Sequence, residues 1–247
     1  MYTFANSECW VFDLDNTLYS AASSVFAEID SRMTDYVARY LGIDPLAATT
    51  IQKQYYAQHG TTLKGLMTEH AMDPAEFLDH VHDVDLSPVA PCQMLQVAIG
   101  RLPGRKFVYT NGSRRHAERV TKHLGIDHLF DGMTGIDDLS FDPKPDPRAY
   151  DRFCERHGIA PARSVFFEDL ARNLEPAHAM GFTTVLVQTS GDWSHEPEEA
   201  RPGALPDMSA SPWGEDGRPP HVHYVTDDLA GFLTQAVPAE PKDTAHD

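Results

Sequence analysis

The stretch that decides the fold is residues 9–19, CWVFDLDNTLY. Its first four residues form a short apolar run typical of a buried strand. The run leads to two carboxylates, Asp13 and Asp15, and alternate side chains of an extended backbone point the same way, so both can face one site. Paired carboxylates suit a nucleophile beside a general acid/base and also attract a hard cation. A turn or a helix cap, which Asp and Asn also favour, is the alternative reading of this pair.

Similar apolar runs recur along the chain and predict further strands at 106–110, 164–168, 183–187 and 221–225. Helical stretches follow most of them, for example at 114–124 and 147–157. Strands that alternate with helices indicate a parallel sheet covered on both faces, so we expect an α/β fold with a parallel-sheet, Rossmann-like core. Ligands of such sheets bind at the carboxyl ends of the strands.

Residues 20–102 differ from the rest of the chain, because they contain helical patterns and no convincing strand. Apolar residues at every fourth position from Val25 predict an amphipathic helix at 24–41. Further helices are predicted at 44–58, 63–70, 74–82 and 91–101, two of which begin at Asp-Pro pairs suited to a helix start. We therefore predict an all-helical cap at 20–102, inserted into a catalytic core made of residues 1–19 and 103–237. A long surface loop is expected at 190–220 and a frayed tail at 238–247.

Composition excludes some classes of protein. The 247 residues are 41% hydrophobic and 23% charged, which is ordinary for a folded domain. The formal net charge is −17, from 20 Lys and Arg against 37 Asp and Glu, which argues against binding to polymeric nucleic acid or to an anionic membrane. This charge would also repel an anionic ligand, so binding one would need a metal ion or a few local cations to offset it.

The sequence carries no sign of export or of a membrane span. The first residues lack the features of a signal peptide, and no segment approaches the roughly 20 apolar residues that cross a bilayer. The three cysteines are scattered, which favours free thiols in a reducing cytoplasm. The oligomeric state is left open.

Polar residues follow the second predicted strand as Thr110-Asn111-Gly112-Ser113. A hydroxyl and adjacent backbone N–H groups at a strand-to-helix turn can hold phosphate oxygens, although an ordinary turn has the same composition. Lys144 lies in the segment DPKPDP, where flanking prolines restrict the backbone. Its ammonium can neutralise the nucleophile and the phosphate together, whereas an isolated lysine is more commonly solvated.

The acidic pair Glu168-Asp169 ends the very apolar strand SVFFE. Carboxylates in that position are poor candidates for burial unless they are paired or bind a metal ion. Mg²⁺ prefers oxygen ligands in octahedral geometry, and Asp13, the backbone carbonyl of Asp15 and Asp169 can supply the protein's share. Asn173 lies one helical turn further on and either orients these groups or caps the helix.

The ordered motifs DLDNT, TNG, KP and ED resemble those of the haloacid dehalogenase-like hydrolase superfamily. The resemblance covers nearly the whole chain and implies a Mg²⁺-dependent enzyme with a helical cap. It implies that Asp13 forms an aspartyl-phosphate and that Asp15 shuttles the proton. It further implies that Thr110 and Lys144, in the middle motifs, bind phosphate. The acidic pair, Glu168 and Asp169, is implied to bind the metal.

A narrower resemblance involves the segments YYAQHGTTLKGLM, DHVHDVDLS, LPGRKFVYTNGSRRHAERV and FFEDLARNL. These look like bacterial pyrimidine 5′-nucleotidases of the same superfamily and imply an activity on nucleoside monophosphates. Within them, Tyr56 is expected to stack on a base and Lys64 to add positive charge, although tyrosines also pack between cap helices. His80 and His82 lack a third ligand at useful spacing, so we do not expect a metal site there.

Three other functions fit parts of the pattern. A dehalogenase of the same fold needs a nucleophilic Asp, but neither an acid two residues later nor a metal, so Asp15 and Glu168-Asp169 argue against it. A sugar-phosphate phosphatase or phosphotransferase would share the whole site and differ in the cap. A non-catalytic binding protein would be expected to lack site residues that are present here. The sequence therefore predicts a Mg²⁺-dependent phosphomonoesterase, with a small phosphomonoester as its partner.

Overall fold

The structure of the chain, a computed structural model, describes Phe4, residues 6–189 and residues 218–236. Most of the predicted loop at 190–220 and the predicted tail lie outside these residues. The described part contains one six-stranded sheet in which every neighbouring pair is parallel. The parallel α/β architecture predicted from the sequence is therefore confirmed.

The strands follow the order β3-β2-β1-β4-β5-β6 across the sheet. They are β1 (Cys9–Phe12), β2 (Arg105–Tyr109), β3 (Gly132–Thr134), β4 (Ser164–Glu168), β5 (Thr183–Val187) and β6 (Tyr224–Thr226). The edge strand β3 was not predicted, because its three residues, Gly-Met-Thr, form no apolar run. The last strand begins three residues later than predicted. Strand β1 lies between β2 and β4, so its end is at the middle of the sheet.

All four residues of β1, the apolar run CWVF, are buried. Phe12 stacks on Phe167 of β4, with ring centroids 4.7 Å apart and planes 7° from parallel. The indole N–H of Trp10 donates a 2.7 Å hydrogen bond to the Pro103 carbonyl. Aromatic packing on β4 and the hydrogen bond to Pro103, just before β2, therefore hold β1 and with it the carboxylates that follow.

The described residues form nine α-helices, of which the first seven begin and end close to the predicted positions, whereas no bounds were predicted for the last two. The helices are α1 (Val25–Leu41), α2 (Pro45–His59), α3 (Thr62–His70), α4 (Pro74–Val81), α5 (Gln93–Arg101), α6 (Arg114–Leu124), α7 (Pro147–His157), α8 (Ala171–Ala179) and α9 (Leu229–Ala236). Asp44 caps α2 by accepting from the backbone N–H groups of Leu46 and Ala47, and Asp73 caps α4 in the same way. Gly42 ends α1 in the left-handed conformation, with φ at 67°.

Helices α1 to α4 pack on one another, with α1 against α2 and α4, and α2 against α3. The last pair approaches closely, because a Cβ on Gly65 would lie only 2.4 Å from the Tyr55 side chain. Helix α5, which falls inside the range predicted for the cap, instead packs against the core helix α9. The division at 20–102 stays a prediction, and this packing favours ending the cap before α5. Among the described helices, none is both long and apolar enough to cross a membrane.

Candidate active site

The residues singled out by the sequence come together at the carboxyl ends of β1, β2 and β4. Asp13 follows β1, and its backbone N–H donates a 2.9 Å hydrogen bond to the carbonyl of Phe167. A tight turn begins at Asp15, and in it Asn16 adopts a left-handed φ of 60°. Asn tolerates this conformation better than most residues, which explains how the chain leaves the sheet directly after the two carboxylates.

Lys144 lies at the centre of the site and is only 1% exposed. Its Nζ donates to Asp13 Oδ1 at 2.6 Å, to Glu168 Oε1 at 2.7 Å and to the carbonyl of Tyr109 at 3.0 Å. Burial alone would lower the pKa of this ammonium, but the Asp13 and Glu168 carboxylates raise it above its ordinary value. Lys144 therefore stays charged and joins the ends of β1, β2 and β4.

The backbone of Lys144 is held by the side chain of Asn111. The amide of Asn111 accepts from the Lys144 N–H at 2.7 Å and donates to the Lys144 carbonyl at 3.1 Å. Both polar groups of Asn111 are thus engaged, although the residue lines the cavity described below. The geometry gives Asn111 a positioning role towards Lys144, in addition to the substrate contact predicted from the sequence.

The carboxylates of Asp13, Glu168 and Asp169 form a buried cluster in which one oxygen atom of each residue lies within 4.8 Å of the other two. It is the one group of this kind in the described residues. Glu168 also accepts from the Asn173 amide at 2.6 Å and from the Leu170 N–H at 2.8 Å. Because Glu168 already accepts three hydrogen bonds, Asp13 and Asp169 have more capacity left for an ion.

The pKa values of this cluster reflect three carboxylates that share one ammonium. Burial raises the pKa of Asp13 to about 7, since it outweighs the attraction of Lys144 and is reinforced by the Glu168 charge. Burial and the neighbouring Glu168 and Asp13 charges raise the pKa of Asp169 well above its ordinary value. The pKa of Glu168 is instead lowered, because Lys144 and several hydrogen bonds outweigh its burial. Oxygen donors with this excess of negative charge fit a hard divalent cation such as Mg²⁺.

Asp15 stands apart from that cluster, and its carboxylate is held from the other side. Its Oδ1 accepts from the Tyr19 hydroxyl at 2.5 Å and from His116 Nε2 at 2.9 Å. Burial would raise the pKa of Asp15, but His116, Tyr19 and the nearby His82 hold it below its ordinary value. The side chain of Asp15 thus faces histidines. Its possible contact with a metal ion is therefore through the backbone carbonyl, as the sequence analysis suggested.

A cavity of about 770 Å³ opens above these groups, between the sheet and helices α1 to α4. Its floor includes Asp13, Asp15, Thr110, Gly112 and Lys144, together with Glu168 and Asp169. The Thr110 hydroxyl accepts a 2.9 Å hydrogen bond from the Gly112 N–H, which shapes the turn after β2. The cap supplies mainly apolar lining, through Phe26, Met33, Leu63, Phe77, Leu78 and Val81.

Of the two predicted substrate contacts in the cap, only Tyr56 lines the cavity. The guanidinium of Arg172 lies 4.4 Å from the centre of its ring. Lys64 does not line this cavity, because its Nζ forms a 3.0 Å ion pair with Asp142. The structure thus brings all the predicted core residues together and leaves Lys64 outside.

Sequence reasoning did not identify Tyr19, His116 or Arg172 as site residues. Tyr19 lies four residues after Asp15, and His116 lies in the first turn of α6, three residues after Ser113. Arg172 follows Asp169 by three residues and lines the cavity. The available signal was their separation of three or four residues from a recognised motif residue. That separation does not reveal which way each side chain points.

Comparison with known proteins assigns the family. Residues 8–181 match the haloacid dehalogenase-like hydrolase family over more than half of the chain. The chain belongs to this family. The matched range includes every core residue of the candidate site and the whole of the helical insertion, so the resemblance inferred from four short motifs is confirmed at the level of the superfamily.

Two curated relatives extend the comparison beyond those motifs. Phosphate metabolism protein 8 of Saccharomyces cerevisiae is 28% identical over 203 residues, which are 76% of this chain and 63% of the yeast protein. The chain thus spans less than two thirds of that relative. A phosphoglycolate phosphatase of Pasteurella multocida is 27% identical over 204 residues, covering 77% of this chain and 90% of the relative.

Among solved structures, the L-2-haloacid dehalogenase of Xanthobacter autotrophicus with chloropropionic acid covalently bound has a similar fold. It matches with a TM-score of 0.54 at 17% identity, covering 92% of this chain and 97% of the dehalogenase. At that identity, the likeness concerns the fold alone. The proteins similar to this chain thus include one named as a phosphatase and one named as a dehalogenase, and the site residues must distinguish the two chemistries.

Proposed function

We propose that this protein hydrolyses phosphate monoesters through an aspartyl-phosphate on Asp13, with Asp15 as general acid/base and Mg²⁺ as cofactor. The observation that carries the proposal is the position of Asp15, whose carboxylate is held by two donors at the edge of the buried Asp13 cluster. A halide leaves without a proton, so a dehalogenase has no use for this acid. An alkoxide leaving group needs one.

In the first half of the reaction, an Asp13 carboxylate oxygen attacks phosphorus and the bond to the leaving oxygen breaks. Asp15 gives its proton to that oxygen, and the alcohol departs. The ordinary state of Asp15 is the ionised one, but an arriving phosphate dianion adds negative charge beside it and favours protonation. Lys144 balances the charge on Asp13 while the phosphoryl group arrives.

In the second half, water attacks the phosphorus of the aspartyl-phosphate. Asp15, now ionised, takes a proton from that water, and the bond between phosphorus and Asp13 breaks to release inorganic phosphate. Thr110 and the backbone of Gly112 lie at the floor of the cavity, where they can hold the remaining phosphate oxygens. A bound Mg²⁺, held by Asp13 and Asp169 beside Glu168, would supply electrostatic stabilisation to those oxygens.

The proposal is tested by measuring phosphate and halide release side by side. The purified protein is assayed with 4-nitrophenyl phosphate and with 2-chloropropionate, each in Mg²⁺ and in EDTA. Phosphate release that stops in EDTA and returns with Mg²⁺ supports the phosphomonoesterase. Halide release that persists in EDTA, without phosphate release, would instead establish the dehalogenase.

We further propose that the substrate is a pyrimidine nucleoside 5′-monophosphate, handled in the cytoplasm. A cavity of about 770 Å³ with an apolar, aromatic cap is large for a phosphorylated two-carbon acid and suits a ligand with a flat apolar body. Tyr56 and Arg172 offer an aromatic ring and a fork of N–H donors to such a body. Arg172 forms no ion pair with any described residue, so its guanidinium N–H groups remain available to a ligand.

The finer assignment needs a comparison of kcat/KM across phosphomonoesters. UMP, CMP and dTMP are compared with AMP and GMP, with sugar phosphates and with phosphoglycolate, all in Mg²⁺. A preference for the three pyrimidine nucleotides supports the assignment. Higher kcat/KM with sugar phosphates or phosphoglycolate would refute it and leave the broader phosphatase in place.

A further inference from the structure

The two oxygen atoms of Asp15 have different surroundings. Oδ1 accepts both the Tyr19 hydroxyl, at 2.5 Å, and His116 Nε2, at 2.9 Å. No described residue donates a hydrogen bond to Oδ2. Since Asp15 lines the cavity, Oδ2 is the oxygen left to exchange a proton with a ligand. We propose that Tyr19 and His116 are positioning residues that fix Oδ1, so that Oδ2 carries the catalytic proton. The inference rests on the proposed function.

The chemistry of the two donors fixes the direction of both hydrogen bonds. An ionised carboxylate only accepts, so the Tyr19 hydroxyl and the His116 ring N–H are the donors. A carboxyl group that already accepts two bonds at one oxygen is protonated at the other, because the donors would clash with a proton on Oδ1. The proton therefore moves from Oδ2 to the leaving oxygen in the first half-reaction, and from water to Oδ2 in the second.

His116 shows a further sign of a role beyond packing. It is fully buried, and its other ring nitrogen, Nδ1, has no hydrogen-bond partner among the described residues. A buried polar atom without a partner is destabilising, so an apolar side chain of similar shape would serve packing better. The contact between Nε2 and Asp15 is the feature of His116 that such a side chain cannot provide.

The ring of His116 is itself held by a residue from the helical insertion. His82, directly after α4, stacks on it with centroids 4.4 Å apart and planes 18° from parallel. Nδ1 of His82 lies 3.1 Å from the Ser113 hydroxyl, which also accepts from the backbone N–H of His116. The orientation of Asp15 thus depends on contacts from both the core and the insertion.

The test uses the need of the leaving group for a proton. The kcat/KM values are measured for 4-nitrophenyl phosphate, phenyl phosphate and an alkyl phosphate, because nitrophenolate leaves readily without protonation and an alkoxide does not. For His116→Leu we expect a loss of about 10–100-fold with the alkyl ester, which is no more than the lower end of the roughly 10²–10⁴-fold that general acid catalysis contributes, and a much smaller loss with the nitrophenyl ester. Tyr19→Phe should show the same trend, and Asp15→Asn a steeper one.

Two further variants separate positioning from folding. His116→Gln keeps an N–H donor near the place of Nε2 and should recover most of the activity with the alkyl ester. His123→Leu, on the same helix, removes a histidine whose hydrogen bond is to the Val89 carbonyl, away from Asp15, and should match wild type. Thermal melts check that each variant is folded.

The outcomes are distinguishable from failure of the proposed function. If the wild-type protein releases no phosphate from any ester of the series, the proposed function is refuted and this inference with it. If wild type and Asp15→Asn behave as proposed but His116→Leu loses the same factor with every ester, or loses nothing, the positioning role alone is refuted.

Discussion

Replacing Lys144 with methionine tests the charge balance on which the site depends. The variant keeps an apolar stem but removes three hydrogen bonds, to Asp13, Glu168 and the Tyr109 carbonyl. Breaking a buried ion pair by removing one partner costs about 3–5 kcal/mol, because the remaining charge stays buried. Total stabilities are about 5–15 kcal/mol, so we expect a folded but weakened protein.

The free energy of unfolding is measured by urea denaturation at pH 8 in EDTA, with Lys64→Met as the matched control. Lys64 also pairs with a buried carboxylate, Asp142, but its side chain is 30% exposed, and Asp142 keeps Arg152 and Arg148 as partners. Pairs of this exposed kind contribute about 0–1 kcal/mol. Equal losses in the two variants, or a loss at Lys144 below about 1 kcal/mol, would refute the reasoning.

The pH dependence gives the same prediction a second test. Without Lys144, the pKa of Asp13 rises further and that of Glu168 rises above its value in the unfolded chain, so the folded variant binds more protons than folded wild type does. Relative to wild type, its stability therefore increases as the pH falls, and the gap to wild type should narrow between pH 8 and pH 5. A gap of constant size would show that the loss comes from packing and not from buried charge.

Three other perturbations follow from the same geometry. Asp13→Asn should abolish phosphate release, because an amide cannot act as the nucleophile here. The melting temperature of this variant at pH 8 in EDTA should not fall, because the substitution removes one of three crowded carboxylates. A large drop in melting temperature would contradict this. Because the pKa of Asp13 is raised to about 7, the stability of the metal-free protein should decrease as the pH rises through 7. Mg²⁺ should therefore raise the melting temperature more at pH 8 than at pH 6. Equal shifts at the two pH values would argue against Mg²⁺ binding at this cluster. Arg172→Met should raise KM for UMP, while kcat/KM for 4-nitrophenyl phosphate changes little. The control is Arg148→Met, at an exposed arginine. An unchanged KM for UMP would remove Arg172 from the nucleotide proposal.

The sequence predicts the central features of this fold because each carries a local signal. Apolar runs give β1, β2, β4 and β5, and Asp-Pro pairs give the starts of α2 and α4. The strand β3 carries no such signal, because a three-residue edge strand that is only partly buried needs no apolar run. It becomes a strand through its pairing with β2, which is a tertiary effect.

The site divides in the same way. Asp13 and Asp169 were identified because strand ends converge at one edge of a parallel sheet, and Lys144 was identified because prolines flank it. Lys64 shows the limit of this reasoning, because a lysine in a promising segment is engaged by Asp142, a partner 78 residues away. His116 shows the opposite limit, since it lies 101 residues from Asp15 and only the folded chain brings them into contact.

The net charge of −17 poses a problem for phosphate binding that the site answers locally. Lys144 is already committed to Asp13 and Glu168, and with Asp169 ionised the cluster keeps two negative charges in excess of its ammonium. A phosphate dianion would not enter such a site by itself. A divalent cation brings the cluster to neutrality, after which Lys144 and the Thr110 turn can serve the phosphate instead of only the carboxylates. Metal binding should therefore precede substrate binding, because the same acidic residues that hold the cation would otherwise repel the phosphate.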